Sequence, residues 1–483
     1  MYHKKVLFIE PRGSKANVFA RFMSIPLLGP VYLATIARDA GYDVSVFNEN
    51  ITGRTITPDE LSSVDILCLS CLTATVTRGK EIAKEYKALR AAQGLESFTV
   101  IGGIHASMIP DDVTAHFDRV VVGEAENVIL DVLAGRTTDK IIRASRPEQL
   151  DVLPIPDFTL LKDSDKIKVW PLMTSRGCPF DCNFCSVTEM FGRDYRSQKC
   201  EKVIEEISRR QTGTMFFVDD HFAVNTEKTS KLLDMMIERR FNRVWSTQVR
   251  TEVTKKPEFV AKLRKAGCEI VYIGFESINP QSLKDMNKHQ TVDDIKRSIR
   301  VFHENGIEVH GMFIVGNDAD TKDVFRMTSD FCRDSKIDYV QYSILTPLPG
   351  TRTYAKLEKE NRILHKDWEL YDGLHALFTP KNMTAFELQN GLIECFSDFY
   401  SYTNAFNDAL NATFEKIASA ARLIVARPSR NNRGGVATPH PATFFRSFTK
   451  LVGKGIVKSW LKHNKFYLNY LKQLRSRSEV PTV

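Results

Sequence analysis

TSRGCPFDCNFCS, residues 174–186, places Cys178, Cys182 and Cys185 in a C-x3-C-x2-C array immediately after the apolar run PLMTS (171–175). Thiolates bunched this closely bind one soft metal centre, either zinc or an iron–sulfur cluster. A structural zinc site wants a fourth Cys or His nearby, and the next candidates, Cys200 and His221, lie 15 and 36 residues beyond Cys185. Iron–sulfur cubanes usually take four thiolates. A set of three leaves one iron open to a substrate or cofactor, so the incomplete set reads as a reactive centre.

Downstream of the cysteines the chain alternates strand-like and helical runs. The strand-like runs are TMFFVDD (214–220), RVWSTQVR (243–250), EIVYIGFES (269–277), EVHGMFIVG (308–316) and DYVQYSIL (338–345). Helical patterns such as CEKVIEEISRR and VDDIKRSIRVFHENG separate them. With PLMTS this makes six βα repeats over residues 171–350, which favours an incomplete β/α barrel whose functional loops follow the strand ends. Upstream, residues 136–170 lack clear periodicity and contain LDVLPIPDF (150–158), a Pro-bearing connector pattern. Residues 1–135 form another βα array, with strand-like KKVLFIE, DVSVFN, VDILCLSCL, FTVIGG and RVVVG. Such a pattern predicts an α/β, doubly wound parallel sheet that binds ligands at its carboxyl ends. Residues 351–420 read as mainly helical, and 421–483 as a basic amphipathic tail.

The cysteine array, with Phe184 before its third member, resembles the radical S-adenosylmethionine (radical SAM) superfamily. The resemblance implies a 4Fe-4S cluster whose open iron chelates S-adenosyl-L-methionine (SAM), and a deoxyadenosyl radical that abstracts hydrogen from an unactivated carbon. It also directs attention to polar groups at the strand ends. Asp219 and Asp220 fall where the SAM ammonium is expected, Arg250 beside Gln248 where its carboxylate is, Glu276 at the ribose, and Ile314, Val315 and Gly316 at the adenine. No catalytic acid or base is assigned. IPLLGPVYLATIARDAGYDV (25–44), GGIHAS (102–107), VVGEAE (121–126), LDVLPIPD (150–157), GRDYRS (192–197), FFVDDHF (216–222), GFES (274–277) and TPLPGT (346–351) resemble, more narrowly, the cobalamin-dependent radical SAM enzymes. The likeness spans about residues 3–400. It implies a Rossmann-like cobalamin-binding domain, a partial (β/α)6 radical SAM barrel and a mainly helical C-terminal region. D-x-H-x2-G, the cobalt-ligating string of classical corrinoid domains, is absent, and His105 is the one histidine on a predicted binding loop. Ser70, Gly102, Gly103, His105 and Gly123 are the expected lining of the corrin site, small residues letting the ligand approach the backbone. A dinucleotide would require G-x-G-x2-G after the first strand, which EPRGSKAN does not supply.

Composition bounds the partners. The 483 residues carry 67 bases and 59 acids, a net of +8. From Ala421 to Val483 there are 13 bases and one acid, Glu479, so the tail holds +12 and the body −4. No nucleic-acid partner is expected of an acidic body. The tail's basic, roughly helical apolar pattern allows docking on the barrel or a partly ordered extension, peripheral membrane contact, or RNA contact. No apolar run approaches the ~18 residues of a membrane span, and the start MYHKKVLFIEP is no secretory leader. The expected setting is a reducing cytoplasm, with a low-potential electron donor and a small-molecule, lipid-like substrate. Cys68, Cys71, Cys200, Cys268, Cys332 and Cys395 read as packing residues, as do Tyr272, Tyr342 and His310. C-methylation is the leading expectation for the reaction. Oxidation, cyclisation or ring rearrangement of a lipid-like or tetrapyrrole substrate, methylthiolation of tRNA or a ribosomal protein, and a non-catalytic corrinoid or SAM sensor are the alternatives.

Overall fold

The computed structural model describes residues 4–14, 25–210, 213–400 and 465–478. Six strands form the first sheet: β1 (Lys5–Glu10), β2 (Asp43–Asn48), β3 (Ile66–Ser70), β4 (Phe98–Gly102), β5 (Arg119–Val122) and β6 (Ile141–Arg143). Their order is β2-β1-β3-β4-β5-β6 and every pairing is parallel. The chain reverses its winding between β1 and β3, which opens a crevice at the carboxyl ends of those strands. Alternation across β1 sends Val6 and Phe8 into one core and Leu7 and Ile9 into the other. The second of these cores runs on without a break into the barrel.

That sheet is one strand wider than the sequence pattern gives. β6 falls inside residues 136–170, read above as a connector, and its Val120↔Ile141 register extends the sheet edge. Three residues flanked by charged and polar neighbours carry too little periodicity to be seen. The rest of the connector is a run of short 3-10 turns, with Leu161 bridging to Val46 of β2.

The second sheet holds β7 (Val169–Leu172), β10 (Thr214–Phe217), β11 (Trp245–Val249), β12 (Cys268–Glu276), β13 (Glu308–Val315) and β14 (Tyr339–Ile344). They pair in parallel in that spatial order, and β7 and β14 do not meet, so the barrel is partial. Between β7 and β10 the chain makes a small antiparallel ribbon, β8 (Ser175–Arg176) with β9 (Arg196–Ser197), whose connection carries the cysteines. Helices start on sequence-encoded caps. Thr291, for example, accepts from Asp294 N while Asp294 accepts from Thr291 N, a reciprocal box that starts the helix Val292–Glu304.

Helices Arg352–Lys359 and Ala385–Phe399 follow the barrel. In the tail, Lys465–Ser478 is helical, and Tyr470 and Leu474 are buried in the barrel-side core. The Tyr470 hydroxyl donates to Ala376 O at 2.6 Å and lies 3.2 Å from His365 Nε2. For that part of the tail the docked alternative is the one seen, with Leu474 of the apolar pattern buried against the barrel-side core. Residues 421–464, which carry Trp460 and most of the apolar pattern, lie outside the described residues. Among the described residues no helix is long and apolar enough to cross a membrane.

Candidate active site at the meeting of two sheet ends

The cysteine loop is threaded between β8 and β9 and is fastened from several sides. Gly177, at φ +87°, turns it so tightly that a Cβ would collide with the Asp194 carbonyl. Asn183 N donates to Met286 O at 3.1 Å, and Thr353 N donates to Asn183 O at 3.1 Å. Cys178, Cys182 and Cys185 are half-buried free thiols. Burial raises the Cys178 thiol and pushes Cys185 up to about 12, so a cationic centre is needed to hold them as thiolates. Among the described residues no three Cys, His, Asp or Glu side chains converge as a single-ion site. A cubane takes each thiolate on a separate iron, and so accepts a wider triangle than one tetrahedral zinc. Three soft donors on one loop fit such a cluster.

Asp219 and Asp220 end the same strand run and do different work. Asp219 is fully buried and accepts from Thr174 N at 3.1 Å, Thr174 Oγ1 at 2.6 Å and the Ser175 hydroxyl. It ties the root of the cysteine loop to β10. Asp220 lies near the cysteines, where burial and then the charge of Asp219 push its carboxyl up to about 7.

Arg250 is buried, and its guanidinium stacks 3.7 Å from the centre of the Phe180 ring. It donates to Glu252 Oε1 at 3.0 Å and Lys288 O at 2.6 Å, and approaches Cys182 Sγ at 3.9 Å. Gln248 sits half-buried on the inner side of β11, its carbonyl accepting from Phe222 N at 3.0 Å. Glu276 is buried at φ +62° and pairs with Lys288 at 2.8 Å. Ile314 is half-buried on the inner side of β13 and Val315 is buried on the outer. Gly316, at φ +98°, has its N–H taken by Asp320 Oδ2 at 3.0 Å, as has Asn317 at 2.9 Å. Asp320 therefore shapes this loop, a role no local motif announces. His221, beside Phe180, is buried and held neutral, its ring pushed down to about 3 by burial.

In the first domain Ser70 and Gly102 end β3 and β4 side by side. Gly103, at φ +90°, lies so close to Cys71 that a Cβ would sit 2.7 Å from its carbonyl oxygen. Gly123, at φ +93°, donates its N–H to Ser107 Oγ at 3.0 Å. His105 is set apart from these. Its ring is fully buried, with Nε2 2.9 Å from Asp112 Oδ2 and the Trp368 ring edge-on at 5.3 Å. Its imidazole is thus built into packing against the C-terminal region. Cys68 and Cys71 are buried and their thiols are raised by burial, as fits packing.

Four charged residues, present in the quoted stretches TSRGC, GRDYRS and VVGEAE but given no role there, join the two sheet ends. Arg176 of β8 pairs with Glu124 at 2.6 Å and with Glu126 at 2.7 Å. Arg196 of β9 pairs with Glu124 and donates to Pro147 O at 2.7 Å. The two glutamates follow β5, directly after Gly123. All four side chains are at most 10% exposed. Two cations and two anions compensate one another, which is what allows charges at this depth. The ribbon that carries the cysteine loop is thereby clamped to the loop end of the first sheet.

A profile described as the Radical SAM superfamily matches residues 172–332, and one described as the B12 binding domain matches residues 16–133. Together they span more than half of the chain. The chain is a member of the cobalamin-dependent radical SAM enzymes. Among relatives of this cobalamin-dependent radical SAM protein, bacteriochlorophyllide d C-12(1)-methyltransferase of Chlorobaculum tepidum is 29% identical over 82% of this chain and 87% of its own length. Hopanoid C-2 methylase of Rhodopseudomonas palustris is 28% identical over 75% and 72%. The fold matches that of the cobalamin-dependent SAM radical enzyme OxsB with aqua-cobalamin and SAM bound, at a TM-score of 0.67 and 14% identity, covering 99% of this chain and 75% of that one. Its cofactors are a 4Fe-4S cluster, SAM and cobalamin.

Proposed function

We propose that this enzyme methylates an unactivated carbon of a small-molecule substrate. The observation that carries the proposal is the clamp of Arg176 and Arg196 on Glu124 and Glu126, which sets the corrinoid-side loops against the cysteine loop. Bound together, the three cofactors supply hydrogen-atom abstraction and a transferable methyl group.

The chain's own residues do the holding. Cys178, Cys182 and Cys185 would ligate the cluster. Asp220, Arg250 and Glu276, with Gln248 and the Ile314–Gly316 backbone, would take the polar groups and base of SAM. Ser70, Gly102, Gly103 and Gly123 would leave room for the corrin and offer it backbone.

The substrate class we propose is lipid-like or tetrapyrrole, on the names of the two methylating relatives. A low-potential one-electron donor and a reducing cytoplasm complete the reading. The test is anaerobic reconstitution with iron, sulfide and hydroxocobalamin, then incubation with methyl-labelled SAM, a strong reductant and an apolar extract of cells lacking the protein. Label in a new C-methyl product, with 5′-deoxyadenosine, supports the proposal. 5′-Deoxyadenosine without label transfer would point to oxidation or cyclisation. Absence of 5′-deoxyadenosine would overturn the radical reading altogether.

A further inference from the structure

The segment Met286–Gln290 belongs to none of the groups assigned above, yet it contacts Arg250, Glu276 and the loop on both sides of Cys182. Met286 O receives Asn183 N at 3.1 Å, and Asn287 Nδ2 donates to Asp181 O at 2.8 Å, so two consecutive residues grip the cysteine loop on both sides of Cys182. Gln290 Nε2 donates to Phe275 O at 2.7 Å and Gly274 O at 3.2 Å, fixing the bulged end of β12. Between them Lys288 works with both ends of itself. Its ammonium pairs with Glu276 Oε1 at 2.8 Å, and its carbonyl receives Arg250 Nη2 at 2.6 Å.

The backbone is held in rarely used conformations to achieve this. Asn287 (φ +55°) and His289 (φ +54°) flank Lys288 in the left-handed region, and Glu276 (φ +62°) shares it. L-residues other than glycine seldom adopt that region, and such conformations persist where the surroundings over-determine them, often at functional sites. The ammonium is buried with its partner, each side chain only 8% exposed, so the pair is not a solvated surface contact.

Resting on the SAM-binding roles proposed above for Glu276 and Arg250, we propose that Lys288 is a positioning residue for SAM, locking both into one geometry with the loop that carries Cys182. It fixes the glutamate by charge and the arginine by its carbonyl, while Arg250 reaches on to the Cys182 sulfur. A purely structural lysine would support the fold and leave ligand affinity where it was.

The experiment uses the full chain, reconstituted anaerobically with iron and sulfide. It measures iron content, SAM affinity by equilibrium dialysis, and the electron paramagnetic resonance spectrum of the reduced cluster with and without SAM. K288M is expected to keep its iron but to weaken SAM binding about 10–100-fold, the range seen when a partner behind a ligand is removed. At SAM concentrations that saturate the wild type, its spectrum should not change on adding SAM. K288R should recover most of the affinity. On an E276Q background K288M should add nothing, because the lysine acts through that carboxylate. Wild-type SAM affinity in K288M, or additive losses in E276Q/K288M, would overturn the proposal. If K288M yields no folded protein, E276Q/K288M, which leaves no buried carboxylate unpaired, is compared with E276Q. Equal affinities then support the proposal, and any further loss contradicts it.

Discussion

The two loop faces that meet at the clamp are built on different principles. On the barrel side the work falls to charged side chains, Asp219, Arg250, Glu276, Lys288 and Asp320 buried and Asp220 half-buried, each with named partners or a named electrostatic neighbour. On the first-domain side it falls to backbone and small residues, with Gly103 and Gly123 in left-handed conformations and Ser70 beside Gly102. A small zwitterion such as SAM is recognised by point charges at fixed distances. A macrocycle needs room and main-chain approach, which side chains would fill. The comparison predicts that the barrel face fails through charge or ligand changes and the first-domain face through bulk.

The largest effect should come from Cys182→Ala. It removes one of three thiolates, and SAM cleavage should drop below detection with loss of bound iron, while corrinoid binding to the first domain persists. Parallel iron and corrinoid assays check that split. Next, Arg176→Leu leaves Glu124 and Glu126 with Arg196 as their one remaining clamp cation. Breaking a buried pair of this kind costs about 3–5 kcal/mol, read by denaturant unfolding. Coupled turnover should fall further than either cofactor's binding.

Gly103→Ala forces a Cβ to within 2.7 Å of the Cys71 carbonyl at a φ of +90°. The expected cost is about 2–4 kcal/mol from backbone strain and overpacking. Corrinoid affinity should fall and the cluster's spectrum should stay unchanged. Equal damage to both cofactors would erase the distinction between the two faces.

The smallest effect concerns pH. His310, on the inner side of β13, is pushed down by burial from 6.5 to about 4. As pH falls from 6.5 toward 4 the unfolded chain takes up a proton that the folded protein refuses, so stability is lost across that window and is fully present above it. His310→Asn should flatten that part of the stability profile, measured by thermal unfolding between pH 4 and 7.

What the sequence made legible was local. The C-x3-C-x2-C array and the six barrel strands are each encoded within a few residues, and five of six strands in the first sheet announce themselves as apolar runs. β6 and the β8–β9 ribbon are three and two residues per strand, too short for any period. Asp219 and Asp220 were indistinguishable in sequence because they are identical neighbours just beyond the end of β10. Burial and hydrogen bonds separate them. The Arg176–Glu124 clamp and the reach of Lys288 to Arg250 join residues 52 and 38 positions apart. Pairings of that range leave no mark in a single sequence, although the glutamates themselves sit in the quoted VVGEAE turn.

In the proposed enzyme the corrinoid and the cluster face each other across this clamp. The direct measurement is the electron-spin relaxation of bound cob(II)alamin in the anaerobically loaded protein, with the cluster oxidised and then reduced. Faster cobalt relaxation on reducing the cluster, lost in Cys182→Ala, is the predicted result. Identical relaxation in both states, with both cofactors bound, would contradict it.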